Sequence, residues 1–138
     1  MIDNFRDQYF FLSNMYPCIV RYDHIFYPSS ENAYQSAKCP GHEYYFAEIY
    51  NPFEAKKMGR QLQMVSGWDK IKVQVMTDIV TDKFKRNPFL MRELLRTGNE
   101  ILVEGNTWGD TFWGVCNGKG ENHLGKILMK IRKAHMTW

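Results

Sequence analysis

Apolar residues recur every three or four positions in two stretches of the chain, which is typical of helices with one buried face. The first stretch contains Trp68, Ile71, Val75, Met76, Ile79, Val80 and Phe84. The second stretch contains Leu124, Ile127, Leu128 and Ile131. The pattern therefore predicts a long helix that begins at Trp68 and a last helix that follows a glycine-rich segment.

Polar residues that favour helix starts precede two further helical stretches. Ser29 or Ser30 is a suitable N-cap for a helix that runs to about Lys38. Asn51-Pro52 combines a cap with a proline at the first helical position, and it opens a helix through about Gln63. Glu54 stands where a capping box places its acid.

A further helix begins after Asn87-Pro88 and runs to about Arg96, where Thr97-Gly98 ends it. Because its starting signal has the same form as Asn51-Pro52, the helix boundary is predicted on the same physical grounds.

Short runs of β-favouring residues predict the strands. Ile19–Tyr22 and Ile25–Tyr27 flank a turn at Asp23-His24, and Ile101–Glu104 and Thr111–Val115 are two further short strands. With 138 residues and no linker or repeat, the chain is expected to form one domain over residues 1–138. The fold class is α+β: a mainly helical single domain with a small, mostly antiparallel sheet.

Composition narrows the class of protein. A content of 44% hydrophobic and 24% charged residues is ordinary for a globular chain, and the 15% aromatic content hints at a ligand-lined cleft or an aromatic core. The net charge of +3 permits phosphate-bearing ligands, but nucleic-acid binding proteins usually have a stronger basic footprint.

The three cysteines lack CxxC spacing, and the four histidines lack metal-ligand spacing, so neither a disulfide framework nor a metal site is expected. No stretch is apolar enough for a membrane span, and the start of the chain has no signal-peptide core. We therefore expect a cytoplasmic protein with reduced thiols and no membrane partner.

The segment from Trp108 to Arg132 contains Asp110, two tryptophans, a glycine-rich loop and a helix start. Backbone N–H groups at such a helix start suit an anion, and the tryptophans suit stacking on a planar base. Together they suggest chemistry on a nucleotide. The spacing matches neither the Rossmann nor the Walker A pattern, and a plain turn with tryptophans in the core accounts for the segment equally well.

On the helix after Pro28, Glu31, Tyr34, Gln35 and Lys38 share one face. A charged helix face is most often solvated. Against that interpretation, Tyr34 is unsuited to a purely solvent-facing position. Glu31 lies in the first turn, where the helix dipole favours its ionised form. A carboxylate so placed is suited to orient water or to stabilise a developing cation.

The next helix has a basic stretch around Gly59. Lys56 and Arg60 are one turn apart and suit a phosphate, and Gly59 allows close approach of the backbone. An ordinary basic surface is the alternative. Trp68 is interpreted either as a core residue or as a stacking platform for a base.

These fragments resemble a known family. The segments that carry the resemblance, in family order from about Phe11 to Arg132, are FLSNMYPCIV, YPSSENAYQSAK, AKKMGRQ, WDKIKVQVM, KFKRNP, LLRTGNEILVE, DTFWG and GKGENHLGKILMKIR. The chain resembles the YbiA-like N-glycosidase family, also called NADAR. The resemblance implies a YbiA-like fold and hydrolysis of N-glycosidic bonds without a metal or a cofactor.

The resemblance also implies the substrate and the site. One family branch acts on phosphoribosylamino-pyrimidine intermediates of riboflavin synthesis, and another removes ADP-ribose from guanine in nucleic acid. The catalytic residues are expected at Glu31, Lys38 and Asp110. The substrate-binding residues are expected at Asn14, Tyr34, Lys57, Gly59, Arg60, Trp68, Trp113, Gly114 and Asn122. Met15 departs from the family pattern at the entrance wall of the site. Val115-Cys116 depart from it after Trp113-Gly114, which leaves the base preference open.

Two chemical routes fit these residues. Cleavage of a C1–N bond passes through an oxocarbenium-like state that Glu31 would stabilise or supply with water, with Asp110 in a complementary role or on the ribose hydroxyls. In the other route Lys38 attacks C1 and forms a transient imine after ring opening. Lys57 and Arg60 would hold phosphate, and Trp68 and Trp113 would flank the base. Two alternatives to catalysis are a module that binds ADP-ribose or NAD without turnover and a nucleic-acid binding protein.

Overall fold

The computed structural model describes residues 1–136. Its α-helices are α1 (Ser30–Lys38), α2 (Glu43–Glu48), α3 (Pro52–Gln61), α4 (Trp68–Arg86), α5 (Pro88–Arg96) and α6 (His123–His135). Its strands are β1 (Val20–Tyr22), β2 (Ile25–Tyr27), β3 (Gly105–Asn106) and β4 (Val115–Cys116), and a 3-10 helix spans Asp7–Leu12.

Residue contacts divide the chain into two compact units. The middle unit is Asn14–Asn87 and contains β1, β2 and α1 to α4. The terminal unit combines Met1–Ser13 with the described residues from 88 to 136. It contains the 3-10 helix, α5, β3, β4 and α6.

The hairpin of the middle unit forms where the sequence predicts it. β1 and β2 pair antiparallel, with Val20 opposite Tyr27 and Tyr22 opposite Ile25. Asp23 and His24 have φ angles of 48° and 70°, which is the left-handed backbone that a type I′ turn requires at both central positions.

Both predicted helix caps of the middle unit are confirmed. The Ser29 hydroxyl accepts a hydrogen bond from the Asn32 N–H at 3.1 Å, at the start of α1. The Asn51 side chain accepts from the Phe53 N–H at 2.9 Å, and Pro52 opens α3. Each cap satisfies one of the N–H groups that a helix start leaves without a partner inside the helix.

Helix α1 lies at the centre of the middle unit, against α2, α3, α4 and the hairpin. Every residue from Ser30 to Ser36 is buried, so the interpretation of its polar face as a solvated surface is wrong. The helix is also tied to its neighbour: the Asn32 amide donates to the carbonyls of Phe46 and Ile49 at 2.9 and 2.7 Å.

The apolar stripe of α4 is confirmed except at one position. Val75, Met76, Ile79, Val80 and Phe84 are buried, whereas Ile71 is 45% exposed. At 3.6 residues per turn, or about 100° per residue, Ile71 lies well away from the centre of the face formed by Met76 and Val80.

In the terminal unit, α5 packs against α6. All four apolar residues predicted for the buried face of α6 are buried: Leu124, Ile127, Leu128 and Ile131. Arg132 is buried beside them, and its Nη1 donates to Thr97 Oγ1 at 2.9 Å. Burial lowers the pKa of Arg132, and the charge of Glu100 opposes that shift.

The strands of the terminal unit differ from the prediction. The observed pair is β3 with β4, in parallel, and Ile101–Glu104 forms only an isolated bridge between Leu102 and Ile2. Within Thr111–Val115 only Val115 belongs to a strand. The carbonyls of residues 111 to 113 accept hydrogen bonds from N–H groups at the start of α6, so this stretch forms a loop. The predicted small sheet is therefore two separate pairs, one antiparallel and one parallel.

Within the described chain, no helix has both the length and the apolar character that crossing a membrane requires. The same residues contain no cluster of three or more histidine, cysteine or acidic side chains able to hold a metal ion.

Candidate active site

Glu31 is a buried carboxylate in the first turn of α1, with only 7% of its surface exposed. Its backbone N–H donates to the Asn14 carbonyl at 3.1 Å. Its Oε1 accepts a hydrogen bond from Gln35 Nε2 at 2.8 Å. A buried charge is costly unless it is paired or hydrogen-bonded, and the N-terminal end of a helix favours a negative charge. Burial, the position at the helix start and the amide donor therefore all indicate that the Glu31 carboxylate is held in place.

Gly59 of α3 lies directly against the side chain of Gln35. A Cβ atom at position 59 would collide with Gln35 Oε1 and come within 2.6 Å of Gln35 Cδ. Alanine is favoured over glycine inside a helix by about 1 kcal/mol, so a glycine at this buried position needs a packing reason. The packing of Gln35 is that reason. The sequence suggested a different reason, the close approach of a phosphate to Gly59, and that reason stays a prediction.

Tyr34 and Trp68 pack against each other at the junction of α1 and α4. Their ring centroids are 5.2 Å apart, with an angle of 58° between the planes. Trp68 is 3% exposed and Tyr34 is buried. This arrangement favours the interpretation of Trp68 as a core residue that supports the helix carrying Glu31. A stacking platform for a base would need an exposed ring face.

Polar atoms near Glu31 are buried without hydrogen-bond partners. Within residues 1–136 these atoms include Asn14 Oδ1, Ser30 Oγ and Gln35 Oε1. The Asn14 amide nitrogen donates to the sulfur of Met76 at 3.4 Å, which is a weak acceptor. Unsatisfied buried polar atoms are rare in folded proteins. Three of the four such side-chain atoms among residues 1–136 belong to residues that adjoin Glu31 or are hydrogen-bonded to it.

The lysine and arginine side chains that the sequence places in the site of the middle unit are more exposed to solvent than Glu31. Lys38 is half-buried in the last turn of α1, seven residues after Glu31, which corresponds to about 10 Å along the helix axis. Lys57 and Arg60 are exposed on α3, and Lys56 is half-buried. Lys57 and Arg60 lie three residues apart, so both side chains reach solvent from neighbouring positions of one helix.

Asp110 organises a tight turn in the terminal unit. Its Oδ1 accepts hydrogen bonds from the N–H groups of Phe112 and Trp113, at 3.2 and 2.9 Å. Asn106 supports the same turn: its Oδ1 accepts from the Asp110 N–H at 3.0 Å, and its Nδ2 donates to the Asp110 carbonyl at 2.9 Å. Asn106 is buried, and it could not be predicted from the sequence because it has no recognisable spacing signal.

The rings beside Asp110 form an aromatic cluster. Trp113 is half-buried and contacts Phe112 edge to face at 4.8 Å between centroids. Phe112 in turn lies 4.4 Å from the His123 ring. Gly114 is needed because a Cβ there would collide with the Glu104 carbonyl. This local packing supplies structural reasons for Trp113 and Gly114 in addition to the predicted contacts with substrate.

Asn122 holds the terminal unit together through its amide. Its Nδ2 donates to the Leu102 carbonyl at 2.9 Å, and its Oδ1 accepts from the Glu104 N–H at 3.0 Å. Its φ of 55° lies in the left-handed region, which asparagine tolerates better than most residues. Both amide atoms are engaged by the backbone, which favours a structural role over the predicted contact with substrate.

The anion site expected at the start of α6 is contradicted by the backbone. The N–H groups of His123 and Leu124 donate to the carbonyls of Phe112 and Trp113, at 3.1 and 3.0 Å. The N–H of Glu121 donates to the Thr111 carbonyl at 2.8 Å. An anion needs N–H groups that point to solvent, and here the preceding loop already accepts their hydrogen bonds.

The cysteines are poor candidates for a nucleophile. All three are free, with Cys39 and Cys116 buried and Cys18 half-buried. Burial raises the pKa of Cys18, against the opposing effect of Lys83, and burial also raises the pKa of Cys39. A raised pKa keeps these two thiols protonated, and the thiolate is the reactive form.

Comparison with known proteins identifies the family. The NADAR domain family matches residues 3–135, and this chain belongs to it. An N-glycosidase of Nostoc punctiforme is 36% identical over 131 residues, which are 88% of this chain and 82% of that protein. The N-glycosidase YbiA of Escherichia coli K12 is 33% identical over 132 residues, with coverage of 92% and 82%.

A longer relative and a solved structure extend the comparison. A riboflavin biosynthesis protein of Vibrio vulnificus is 36% identical over 128 residues, and this chain spans only 35% of its length. The NMR structure of the Escherichia coli protein YbiA aligns with a TM-score of 0.82 at 30% identity, and the alignment covers 97% of this chain and 86% of that one. The match confirms the predicted YbiA-like α+β fold.

Proposed function

We propose that this chain is an N-glycosidase that hydrolyses the bond between C1 of a ribose and the nitrogen of a base. The observation that carries the proposal is Glu31, a buried carboxylate at a helix start with a fixed amide donor on one oxygen. The relatives that are named N-glycosidases and are 33 to 36% identical over most of their length support it.

The chemistry follows from the charge that develops on the sugar. As the C1–N bond breaks, its electron pair goes to the base nitrogen and the ribose acquires oxocarbenium character. Glu31 stabilises that positive charge and takes a proton from the water that attacks C1. This proton then passes to the base nitrogen, so that one water is added across the C1–N bond. Such stabilisation is strongest in a site with a low dielectric constant, and the burial of Glu31 provides one.

The unsatisfied oxygens near Glu31 support a polar substrate. Asn14 Oδ1 and Ser30 Oγ can both accept hydrogen bonds, so they suit donors such as ribose hydroxyls or an exocyclic amine. A passive module for ADP-ribose has no need of a buried carboxylate, which repels the phosphates of that ligand. The arrangement around Glu31 therefore favours turnover over simple binding.

For the substrate, we propose a phosphoribosylamino-pyrimidine, with ADP-ribosylated guanine as the second candidate. The name of the Vibrio vulnificus relative, a riboflavin biosynthesis protein, supports the first. The exposed Lys57 and Arg60 are proposed to hold the phosphate. The predicted roles of Asp110, Trp113, Gly114 and Asn122 in the terminal unit stay open to test by single substitutions.

The test is direct. The purified protein is incubated separately with ribosylamino-pyrimidine 5′-phosphate and with ADP-ribosylated guanosine, and release of the free base is followed by liquid chromatography and mass spectrometry. The proposal predicts release from one of the two, and loss of that release in Glu31→Gln. Binding of either compound without release of base would instead identify a binding module.

A further inference from the structure

The carboxylate of Glu31 has a partner within its own helix. Gln35 lies one turn later in α1, is 5% exposed, and donates from Nε2 to Glu31 Oε1 at 2.8 Å. A hydrogen bond to an ionised acceptor is roughly twice as strong as a neutral one, and burial removes the water that would compete for it. The bond therefore restricts the orientation of the Glu31 carboxylate.

Gln35 is itself confined from the opposite side by α3. The side chain of Gln35 occupies the space that a Cβ atom at Gly59 would fill, with Gln35 Cδ at 2.6 Å and Cγ at 3.3 Å from that position. The Cys39 thiol, one turn after Gln35, also points to the Gly59 carbonyl, 3.9 Å away. Helices α1 and α3 thus meet at Gly59, and the Gln35 side chain is packed between them.

We propose that Gln35 is a positioning residue for Glu31, and that Gly59 is the glycine that makes this possible. The proposal rests on the proposed function of Glu31. Gln35 does not touch the reacting atoms in this account; it holds the Glu31 carboxylate in one orientation while the reaction proceeds. A carboxylate held by packing and a hydrogen bond keeps its geometry better than one held by its own rotamer preference alone.

The chain supplies a matched control. Gln74 Nε2 donates to Asp78 Oδ1 at 2.8 Å, also across one helical turn, but on an exposed part of α4. Gln35→Met and Gln74→Met remove the same kind of bond and keep a side chain of similar length. Gly59→Ala displaces the Gln35 side chain but leaves residue 35 a glutamine.

The experiment measures kcat and KM for these variants and for Glu31→Gln, alone and combined with Gln35→Met, on the glycoside that the wild-type chain hydrolyses. Gln35→Met and Gly59→Ala are expected to lower kcat by about 10- to 100-fold and to leave KM within about twofold, because misplacement of a catalytic group affects the transition state. Gln74→Met is expected to keep wild-type values. In the Glu31→Gln background, Gln35→Met is expected to cost no more than about twofold further, since residues that act as a unit are not additive.

Several results would overturn the positioning role. One is an unchanged kcat in Gln35→Met, and another is an equal loss in the Glu31→Gln background, which would show that Gln35 matters only for packing. If Gln35→Met does not fold, an unchanged kcat in Gly59→Ala overturns it. If Glu31→Gln keeps its turnover, or the wild-type chain hydrolyses neither glycoside, the proposed function fails first and the positioning role fails with it.

Discussion

At the scale of single residues, the position of a side chain in its helix could be predicted from the sequence, whereas the groups that it contacts could not. The first-turn position of Glu31 could be predicted from the sequence, and its expected catalytic role followed from the family resemblance. Its burial could not be predicted, because the residues that cover α1 come from α2, α3 and α4. Asn122 shows the converse, since its substrate contact stays a prediction while its amide makes two hydrogen bonds to the backbone that sequence spacing does not reveal.

Arg60 tests the phosphate contact. Arg60→Ala is expected to raise KM by about tenfold or more and to change kcat little, because a contact made equally in ground and transition states affects KM. Arg92→Ala, which removes another exposed arginine from a helix, is the control. Steady-state kinetics with phosphorylated and dephosphorylated substrate measure the effect. An equal loss on both substrates would show that Arg60 does not contact the phosphate.

Lys38 tests the chemical route. The separation of about 10 Å from Glu31 along α1 favours attack by water that Glu31 activates over attack by the lysine. Lys38→Ala is therefore expected to keep part of the turnover, and borohydride added during turnover is expected to leave no ribosyl adduct detectable by mass spectrometry. Lys70→Ala, at an exposed lysine, is the control. A trapped adduct on Lys38 would establish the imine route instead.

At the scale of elements, the sequence predicts those turns and helix starts that depend on neighbouring residues. It does not predict strands whose hydrogen-bond partners lie far away in the chain. The turn at Asp23-His24 and the caps at Ser29 and Asn51 depend on residues within a few positions, and all three are confirmed. The strands predicted at Ile101–Glu104 and Thr111–Val115 are misplaced because their backbone groups are used by Ile2 and by the start of α6. Such distant partners leave no local pattern.

Asn122 tests the stability of the terminal unit. Asn122→Ala is expected to lower the free energy of unfolding by about 2 kcal/mol or more, because it removes two hydrogen bonds and places alanine at a positive φ. Asn117 has a similar φ of 53° and is exposed, so Asn117→Ala isolates the backbone contribution. Urea denaturation compares the two. Unchanged stability with a raised KM would restore Asn122 as a substrate contact.

Asp82 joins the hairpin to α4 through a hydrogen bond from the Arg21 N–H at 2.7 Å, and it pairs with Arg86. Burial opposes its ionisation, but the hydrogen bonds from Arg86 and Arg21 outweigh burial and hold the pKa of Asp82 below its usual value of 3.8. A lowered pKa in the folded state stabilises the fold above the unfolded value, and this stabilisation is lost as the pH falls through the folded value.

Asp82→Asn is therefore expected to lower the free energy of unfolding by about 1 kcal/mol at neutral pH. The difference from wild type should shrink once the pH is well below 3.8, where the wild-type carboxyl is protonated too. Asp78→Asn on the exposed side of α4 is the control. Denaturation at several pH values checks the trend, and a difference independent of pH would show that the charge of Asp82 does not contribute.

At the scale of the whole molecule, the α+β class and the family could be predicted from the sequence because the matching segments occur in order along nearly the whole chain. The family match over residues 3–135 and the TM-score of 0.82 confirm both. The environment of Glu31 required the structure, since the Gln35–Gly59 packing joins residues 24 positions apart. The proposed function and the positioning role of Gln35 both require that Glu31 is the catalytic carboxylate.

Glu31→Gln tests that claim most directly. The amide is nearly isosteric, so the variant should keep a thermal midpoint close to that of the wild type while it loses the negative charge. Glu54→Gln, at an exposed glutamate in the first turn of α3, is the matched control. Turnover of the hydrolysed glycoside is expected to fall by about 100-fold or more in Glu31→Gln and to stay unchanged in Glu54→Gln. Turnover of Glu31→Gln within about threefold of the wild type would contradict the claim, since a general acid–base residue contributes far more.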